Sequence, residues 1–202
     1  MDYTAIGNTG VRLPRIVFGT SALGNLYRIH SFDAKLKIVS ECIKSVQNPV
    51  FDTAGKYGAG LALEMLGQCL KKLNISPDEY INRGKNPEEK EALFKDITDA
   101  YRALSDLRKL GKIKAAGIGS KDWEIISKVV EYVDLDWVMI ANSLTIMNHP
   151  PQLVAFIEKL AGKGVAIINS AVFHGGFLTG SCYYDYRLIT PESDGPKFRW
   201  RE

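Results

Sequence analysis

The chain has 202 residues, of which 46% are hydrophobic and 24% are charged, and these proportions exclude a disordered or fibrous protein. Its apolar runs are only a few residues long, so the sequence predicts neither a membrane span nor a signal peptide. The net charge of +3 comes from basic and acidic residues mixed along the chain, which argues against nucleic acid and favours a small molecule as partner.

The cysteines and histidines carry no recognisable framework. The three cysteines are odd in number and far apart, which argues against a disulfide scaffold and favours a reducing cytoplasm. Neither residue type has the spacing of a metal site, so no metal is predicted. These residues are Cys42, Cys69, Cys182, His30, His149 and His174.

The N-terminal residues predict a β-hairpin, because extended stretches at 3–6 and 11–13 flank the turn sequence Gly-Asn-Thr-Gly. From Ile16 onward, short β-branched runs alternate with longer segments of helical period, a pattern typical of βα units around a parallel sheet. Strands are predicted at 16–18, 50–51, 80–82, 113–118, 137–141 and 165–168. Helices are predicted to begin near residues 33, 61, 86, 122 and 150.

The helix near residue 86 has the clearest predicted boundaries. Asn86 is a capping residue, Pro87 suits the first helical position, and Glu89 is placed to complete a capping box. The apolar periodicity continues to Leu110, and Gly111 follows where a left-handed residue commonly ends a helix.

Residues 1–202 are predicted to form a single domain, because no linker rich in Pro, Gly or Ser separates the elements. An eight-unit barrel typically needs ~250 residues, so this chain supplies only part of one unless residues are missing. An open doubly wound sheet also fits the alternation, but the Gly-x-Gly-x-x-Gly of a Rossmann fold is absent after the first strand. Barrel chemistry lies on the loops that follow the strands.

One such loop combines a carboxylate and a phenol. Asp52 ends the second βα strand and Tyr57 follows five residues later, beside Gly58. A tyrosine of ordinary pKa, about 10, transfers protons slowly at neutral pH unless a nearby cation stabilises the phenolate. A catalytic tyrosine here therefore requires a lysine, which Asp52 would orient. The alternative is that Asp52 caps the following turn and Tyr57 packs against the rim.

A series of short motifs is spread along almost the whole chain. They are Gly7-Asn8-Thr9-Gly10-Val11, Phe18-Gly19-Thr20, Ala22-Leu23-Gly24, Phe51-Asp52-Thr53-Ala54, Tyr57-Gly58, Glu64, Leu66-Gly67, Gly111-Lys112-Ile113, Gly117-Ile118-Gly119-Ser120, Asn169-Ser170-Ala171 and Gly175-Gly176-Phe177-Leu178-Thr179-Gly180. In content and order they resemble the motifs of the aldo-keto reductases. Within that family the chain looks most like the branch that oxidises aldose sugars at C1, such as galactose or L-fucose dehydrogenases.

The resemblance implies a (β/α)8 TIM barrel of aldo-keto reductase type, preceded by the N-terminal hairpin. It also implies an NAD(P)-dependent oxidoreductase, with NADP or NAD as cofactor and a small sugar or aldehyde as substrate. The family's catalytic group is a tyrosine, a lysine, a histidine and an aspartate. Carried over to this chain, Tyr57 would be the general acid or base and Asp52 would hold the lysine.

The same resemblance implies a set of cofactor-binding residues. Gly19 and Thr20 would lie under the nicotinamide and the substrate. Ser120 and Asn142 are the nearest matches to the groups that hold the carboxamide. The backbone that would line the ring and pyrophosphate is that of Asn169, Ser170, Ala171 and the residues up to Phe173.

The sequence also departs from the family pattern. The family lysine ends the third strand, where this chain has Asn82-Arg83-Gly84-Lys85 directly before the capped helix, so Lys85 is either that lysine or a surface residue. The fourth strand, with the family histidine, and the eighth strand have no counterpart. Because open sheet edges favour aggregation, we expect the chain to be part of a longer protein, with segments missing near 83–85 and after Glu202.

Two functions fit these observations. The first is the oxidoreductase, which is favoured because Asp52 and Tyr57 are both kept at the family spacing. The alternative is a non-catalytic nucleotide-binding barrel that acts as a regulatory subunit. The sequence decides neither NAD against NADP, nor the sugar, the direction of the reaction or the oligomeric state.

Three further segments carry weaker expectations. His174 is expected on the rim after a strand, where it would touch cofactor or sugar or would simply pack. Residues 182–186 either line a substrate loop or pack against it. The basic and aromatic residues at 197–201 are expected to be solvated.

Overall fold

The computed structural model describes residues 2–75 and 92–201. Contacts divide the described residues into two compact units, one formed by 2–4 and 12–75 and the other by 5–11 and 92–201. The prediction that residues 1–202 form a single domain stays a prediction. The predicted strand at 80–82, the helix cap at Asn86, Pro87 and Glu89, and Lys85 lie outside the described residues.

The predicted N-terminal hairpin is confirmed. Strands β1 (Tyr3–Ala5) and β2 (Arg12–Pro14) pair as a two-stranded sheet. In the turn between them, the Ile6 carbonyl accepts hydrogen bonds from the Thr9 main-chain N–H at 3.2 Å and from the Thr9 hydroxyl at 2.6 Å. The threonine therefore closes the turn by a local side-chain bond of the kind that favours turns over regular structure.

The first unit is built around two parallel strands and two helices. Its elements are β3 (Phe18–Gly19), α1 (Phe32–Ser45), β4 (Phe51–Asp52) and α2 (Leu61–Lys72), with a 3₁₀ turn at Ser21–Gly24. Phe18 lies opposite Phe51 in the ladder, and Gly19 lies opposite Asp52. The hydroxyl of Ser31 caps α1, since it accepts a hydrogen bond from the Ala34 N–H at 3.3 Å.

The apolar faces of the two helices meet in one core. Val39 of α1, Phe51 of β4, and Leu66 and Leu70 of α2 are each at most 2% exposed. Burial of four such side chains is the main stabilising term in this unit, because each removes a large apolar surface from water. Asp52 follows Phe51 directly, so the buried strand delivers a carboxylate to its carboxyl end.

The second unit contains a three-stranded parallel sheet flanked by helices. Its elements are α3 (Ala92–Lys109), β5 (Gly117–Ser120), α4 (Trp123–Val129), β6 (Trp137–Ala141), α5 (Pro151–Gly162) and β7 (Ala166–Ser170). The strand order is β5-β6-β7, with Trp137 opposite both Gly117 and Ala166. Val138 and Ile140 of the central strand are 0% exposed, as expected for a parallel strand with neighbours on both sides.

The strand predicted at 113–118 begins later, at Gly117. The Ala116 carbonyl still accepts a hydrogen bond from the Asp136 N–H at 2.9 Å, but a side chain takes the Ala116 N–H in place of the neighbouring strand. The Ala116 N–H donates to the Asp136 carboxylate at 2.8 Å, and the same carboxylate accepts two bonds of 2.7 Å from Arg108. At the end of α3, the predicted left-handed residue is confirmed, because Gly111 has φ +68° and donates to the Arg108 carbonyl at 2.9 Å.

Elements after β7 were not predicted. They are a 3₁₀ segment at His174–Thr179, an antiparallel hairpin of β8 (Tyr183–Tyr184) and β9 (Arg187–Leu188), and α6 (Gly195–Arg201). The expectation that residues 197–201 are solvated holds in part, because Trp200 is 51% exposed yet stacks on Phe177 with ring centroids 5.4 Å apart. Across the described residues, no helix combines the length and the apolar character that crossing a bilayer requires.

Candidate active site

Three of the predicted site residues meet at the carboxyl ends of β3 and β4. The Thr20 main-chain N–H and the Thr20 hydroxyl both donate to the Asp52 carbonyl oxygen, each at 2.9 Å. Thr20 is 0% exposed, so its hydroxyl anchors the end of β4 and does not face solvent. Gly19 is exposed, and a Cβ built on it meets no heavy atom within 4 Å apart from its chain neighbours. The backbone at Gly19 therefore offers an open surface beside an anchored Asp52.

Tyr57 is fixed through its main chain. Its N–H donates to the Ala54 carbonyl at 3.0 Å, and its carbonyl accepts from the Ala62 N–H, in the first turn of α2, at 3.2 Å. A Cβ on Gly24 would lie 2.8 Å from the Tyr57 carbonyl carbon and oxygen, so only glycine permits this approach. The side chain packs partly buried against the core of the first unit. The phenol is thus carried on a backbone that has little freedom to move.

Thr53 is a candidate that the sequence analysis did not single out. It lies between Asp52 and Ala54, is 2% exposed, and its hydroxyl has no hydrogen-bond partner in the described part of the chain. An unsatisfied buried hydroxyl is uncommon and asks for an explanation, such as a ligand or an ordered water. In the sequence, the position of Thr53 inside the Asp-Thr-Ala motif was the feature that could have identified it as a site residue.

In the second unit, the predicted carboxamide ligands end β5 and follow β6. The Ser120 hydroxyl accepts a hydrogen bond from the Asp122 N–H at 3.0 Å. Asn142 has a left-handed backbone, with φ +62°, and its N–H donates to the Ser170 carbonyl at 3.1 Å. Its side-chain Oδ1 is buried and has no hydrogen-bond partner among the described residues. Asn142 therefore holds an acceptor that nothing in this unit uses.

The loop after β7 carries the remaining predicted residues. The Asn169 side-chain amide, in β7, donates to the Leu144 carbonyl at 2.8 Å, so this side chain ties β7 to the loop after β6. Ser170 ends β7, opposite Ala141. Beyond it, Ala171 is exposed with φ +54°, and Phe173 is 56% exposed. The segment from Ala171 to Phe173 thus begins with a left-handed alanine and exposes both Ala171 and Phe173, and such strain is of the kind that occurs at ligand sites.

Of the two expectations for His174, the structure fits packing, because its side chain does not lie on an accessible rim. Its side chain is 1% exposed, and its two ring nitrogens lie 2.9 Å from the Thr145 hydroxyl and 3.1 Å from the Asp185 carboxylate. The sequence could not reveal this arrangement, because the partners are 29 and 11 residues away.

The predicted site residues thus fall into two groups, one in each unit. In the first unit they are Gly19, Thr20, Asp52 and Tyr57, and in the second they are Ser120, Asn142, Asn169, Ser170, Ala171 and Phe173. In the described ranges, no three His, Cys, Asp or Glu side chains cluster as a metal ion would require.

Comparisons with known proteins bear on the family. The aldo/keto reductase family model matches residues 15–88 and 76–196. An L-galactose dehydrogenase from Arabidopsis thaliana is 24% identical over 229 residues, covering 95% of this chain and 72% of that protein. A D-threo-aldose 1-dehydrogenase from Pseudomonas sp is 23% identical over 237 residues, covering 88% of this chain and 71% of that protein.

Solved structures show the same fold. A glycerol dehydrogenase from Gluconobacter oxydans superposes with a TM-score of 0.67 at 19% identity, covering 99% of this chain and 74% of that chain. A thermostable aldo-keto reductase in complex with the inhibitor epalrestat superposes with a TM-score of 0.61 at 17% identity, covering 83% and 71%. The fold is therefore the TIM-barrel type of the aldo-keto reductases, as the motifs implied. Since the family model matches most of its length, the chain belongs to the aldo/keto reductase family and is an NAD(P)-dependent oxidoreductase.

Proposed function

We propose that this protein oxidises an aldose sugar, such as L-fucose or a galactose, at C1. The observation that carries the proposal is that two relatives named for aldose oxidation align over 95% and 88% of the chain. The retained pair Asp52 and Tyr57 supports turnover rather than binding alone, because a regulatory module has no use for a positioned proton-transfer group. A small sugar substrate is consistent with the absence of any concentrated charge along the sequence.

In this proposal Tyr57 is the general base. Its phenolate takes the proton of the C1 hydroxyl while the C1–H bond breaks, so that the C1 carbon and oxygen become a carbonyl group. When bound, NAD(P) supplies the hydride acceptor for the oxidation and the hydride donor for the reverse reaction. In the reverse direction the Tyr57 phenol returns the proton to the carbonyl oxygen.

Asp52 is proposed to act on the proton transfer indirectly. A phenol of ordinary pKa is a weak base at neutral pH, so a cation close to Tyr57 is needed to favour the phenolate. We assign Asp52 the role of holding a lysine there. The two hydrogen bonds from Thr20 to the Asp52 carbonyl support this role, because they fix the backbone that carries the carboxylate.

The proposed cofactor-binding roles are assigned within each unit by itself. The open surface at Gly19 suits a flat ring, and we assign Gly19 and Thr20 to the floor beneath the nicotinamide. The unused Oδ1 of Asn142 suits an amide donor, so we assign Asn142 and Ser120 to the carboxamide. The backbone from Asn169 and Ser170 through Ala171 to Phe173 is assigned to the ring and pyrophosphate. We further propose a cytoplasmic location, which the three free cysteines support.

The test is a spectrophotometric assay of reduced nicotinamide with the purified protein, NAD or NADP, and a panel of aldoses that includes L-fucose, galactose and arabinose. Tyr57→Phe is expected to lower kcat by about 10³-fold and to leave the cofactor dissociation constant nearly unchanged. Tyr132→Phe, at a 68% exposed tyrosine, is the matched control and is expected to behave as wild type. Cofactor binding without turnover of any aldose or aldehyde would overturn the proposal in favour of a binding module.

A further inference from the structure

His174 joins three separate segments of the second unit. Its Nε2 lies 2.9 Å from the Thr145 hydroxyl in the loop after β6, and its Nδ1 lies 3.1 Å from Asp185 in the turn of the β8–β9 hairpin. The ring also stacks on Tyr184, with centroids 4.4 Å apart and planes 11° from parallel. We refer to Thr145, His174 and Asp185 as the His174 bridge. Thr145 and His174 are buried, at 8% and 1% exposed, and the Asp185 side chain is 20% exposed.

The hydrogen-bond network assigns the tautomer of His174. The Thr145 oxygen already accepts the N–H groups of Met147 at 3.2 Å and Asn148 at 3.0 Å, which occupies both of its lone pairs. The hydroxyl proton is therefore left for the histidine, and Nε2 must be the acceptor. Nδ1 then carries the ring proton and donates it to the Asp185 carboxylate. All three side chains are satisfied in this single arrangement.

A Thr-His-Asp order also occurs in hydrolase triads, but these residues do not form a nucleophile. Thr145 is buried, and its oxygen lone pairs are engaged by two main-chain N–H groups. A triad nucleophile must instead present its oxygen to a substrate. The bridge is consequently a structural connection, and the question is what it holds in place.

The bridge lies among residues whose backbone conformation is strained. A left-handed backbone is unfavourable for residues other than glycine and persists only where surrounding contacts enforce it. Around the bridge, such values occur at Asn142 (φ +62°), Ala171 (φ +54°), His174 (φ +48°), Asp185 (φ +46°) and Tyr186 (φ +76°). Two of these, Asn142 and Ala171, are among the proposed cofactor-binding residues. The strain therefore lies in the segments that the bridge joins.

We propose that His174 is a positioning residue for the nicotinamide dinucleotide: the His174 bridge holds the strained segment 171–173 in the shape that receives the cofactor. This inference rests on the proposed function. In this proposal the bridge acts on the cofactor through the exposed backbone of Ala171 and Phe173. A change in the bridge therefore alters the affinity for the cofactor and not the rate of the chemical step. Loosening that backbone should weaken binding and leave the proton transfer alone.

The test compares His174→Leu, which removes both hydrogen bonds, with His174→Asn, which keeps a donor toward Asp185. His30→Leu, at a partly exposed histidine of the first unit, is the control. For His174→Leu we expect the KM and dissociation constant of NAD(P) to rise about tenfold, with kcat changed less than about threefold. His174→Asn should recover part of the affinity. As a single variant, Asp185→Ala should weaken cofactor binding. In the double variant with His174→Leu it should weaken binding little further, because both substitutions break the same bridge.

A merely structural role predicts a different pattern: a smaller folded fraction, a lower apparent kcat and an unchanged KM. Should His174→Leu fail to fold, His174→Asn and Asp185→Ala carry the same comparison. An unchanged cofactor KM in the folded variants, with the wild type active, overturns the positioning role alone. If the wild type binds neither NAD nor NADP, the proposed function fails and this inference fails with it.

Discussion

The two units fix the carboxyl ends of their strands by different means. In the first unit the main chain does most of the work: Thr20 ties to the Asp52 carbonyl, and Gly24 packs directly on the Tyr57–Gly58 backbone. In the second unit polar side chains hold the loops together, because His174 is hydrogen-bonded to both Thr145 and Asp185. A substitution can remove a single hydrogen-bonding group from a side-chain contact. A contact between two glycine backbones is instead broken when either glycine gains a Cβ.

This difference implies different sensitivities to mutation. In the first arrangement Gly24 and Gly58 pack backbone against backbone, so a single carbon added to either glycine is the damaging change. Residues that carry the second are polar and paired, so removal of one partner is the damaging change. The expected effects below follow this division.

Gly58→Ala is expected to have the largest effect. Gly58 has φ +61°, and an added Cβ would collide with the Gly24 main chain, including its carbonyl oxygen. The left-handed backbone costs an alanine about 1–2 kcal/mol, and the collision with rigid backbone adds to it. We expect a loss of about 3 kcal/mol or more in the free energy of unfolding, measured by urea denaturation.

Two other glycines in the same unit separate the causes. Gly60 has φ +96° but open space around a built Cβ, so Gly60→Ala should cost only the backbone term of about 1–2 kcal/mol. Gly67 lies inside α2, exposed, with no atom near a built Cβ, so Gly67→Ala should stabilise by up to about 1 kcal/mol. Equal losses for Gly58→Ala and Gly60→Ala would show that the Gly24 contact is unimportant.

Asp136→Ala tests the side-chain arrangement of the second unit. Asp136 accepts from Arg108 and from the Ala116 N–H, and its side chain is 14% exposed. The side-chain hydrogen bond to Asp136 is the largest cause that holds the pKa of the Arg108 guanidinium above its usual value. Loss of the carboxylate should cost about 2 kcal/mol, less than for a fully buried pair because Arg108 is 33% exposed.

Asp99→Ala provides the matched control for this prediction. Asp99 also pairs with an arginine, Arg102, at 2.6 Å, but the two side chains are 48% and 76% exposed. Such a surface pair contributes at most about 0.5 kcal/mol. Comparable losses in the two variants would contradict the view that the buried network stabilises the sheet.

The pattern of apolar residues predicted most of the regular elements. Strand β6 was predicted with its observed ends, because Trp137 to Ala141 form a continuous apolar run between two helices. The start of β5 was predicted too early, because periodicity carries no information about the Asp136 carboxylate that takes the Ala116 N–H. The predicted site residues came from motifs, and the structure adds the contacts that hold them.

The β8–β9 hairpin shows why other parts were missed. Its two-residue turn, Asp185 and Tyr186, has positive φ at both positions, which in sequence is usually marked by Asn-Gly or Asp-Gly. Tyrosine gives no such signal. The conformation is stabilised by tertiary contacts instead, including the hydrogen bond that Asp185 accepts from His174 and the Lys121 ammonium 4.4 Å from the Tyr186 ring centroid.

Thr53→Val tests a buried polar group in the first unit. The Thr53 hydroxyl has no hydrogen-bond partner in the described residues. Valine has nearly the same shape and removes the unsatisfied hydroxyl, so we expect a gain of about 1 kcal/mol in the free energy of unfolding. If the hydroxyl contacts a ligand, affinity for NAD(P) or sugar falls as stability rises. Thr20→Val is the contrasting variant, expected to destabilise because its hydroxyl is hydrogen-bonded to Asp52.

The smallest effect is expected for Asp194, which holds the first turn of α6. Its carboxylate accepts from the Lys197 ammonium at 2.7 Å and from the Lys197 N–H at 3.1 Å. These bonds lower the pKa of Asp194 below its ordinary value of 3.8, with the side-chain bond to Lys197 as the main cause. A lowered folded-state pKa gives stability that is present above the unfolded value and is lost as pH falls through the folded one.

We therefore expect α6 to loosen at acid pH, below about 4, while the rest of the second unit stays folded. Trp200 reports this change, because it belongs to α6 and stacks on Phe177. Its fluorescence, isolated by subtraction of a Trp200→Phe spectrum, should shift on acidification in the wild type. Asp194→Asn should already show the shifted spectrum at neutral pH, and a wild-type transition that persists in Asp194→Asn would assign the effect to another group.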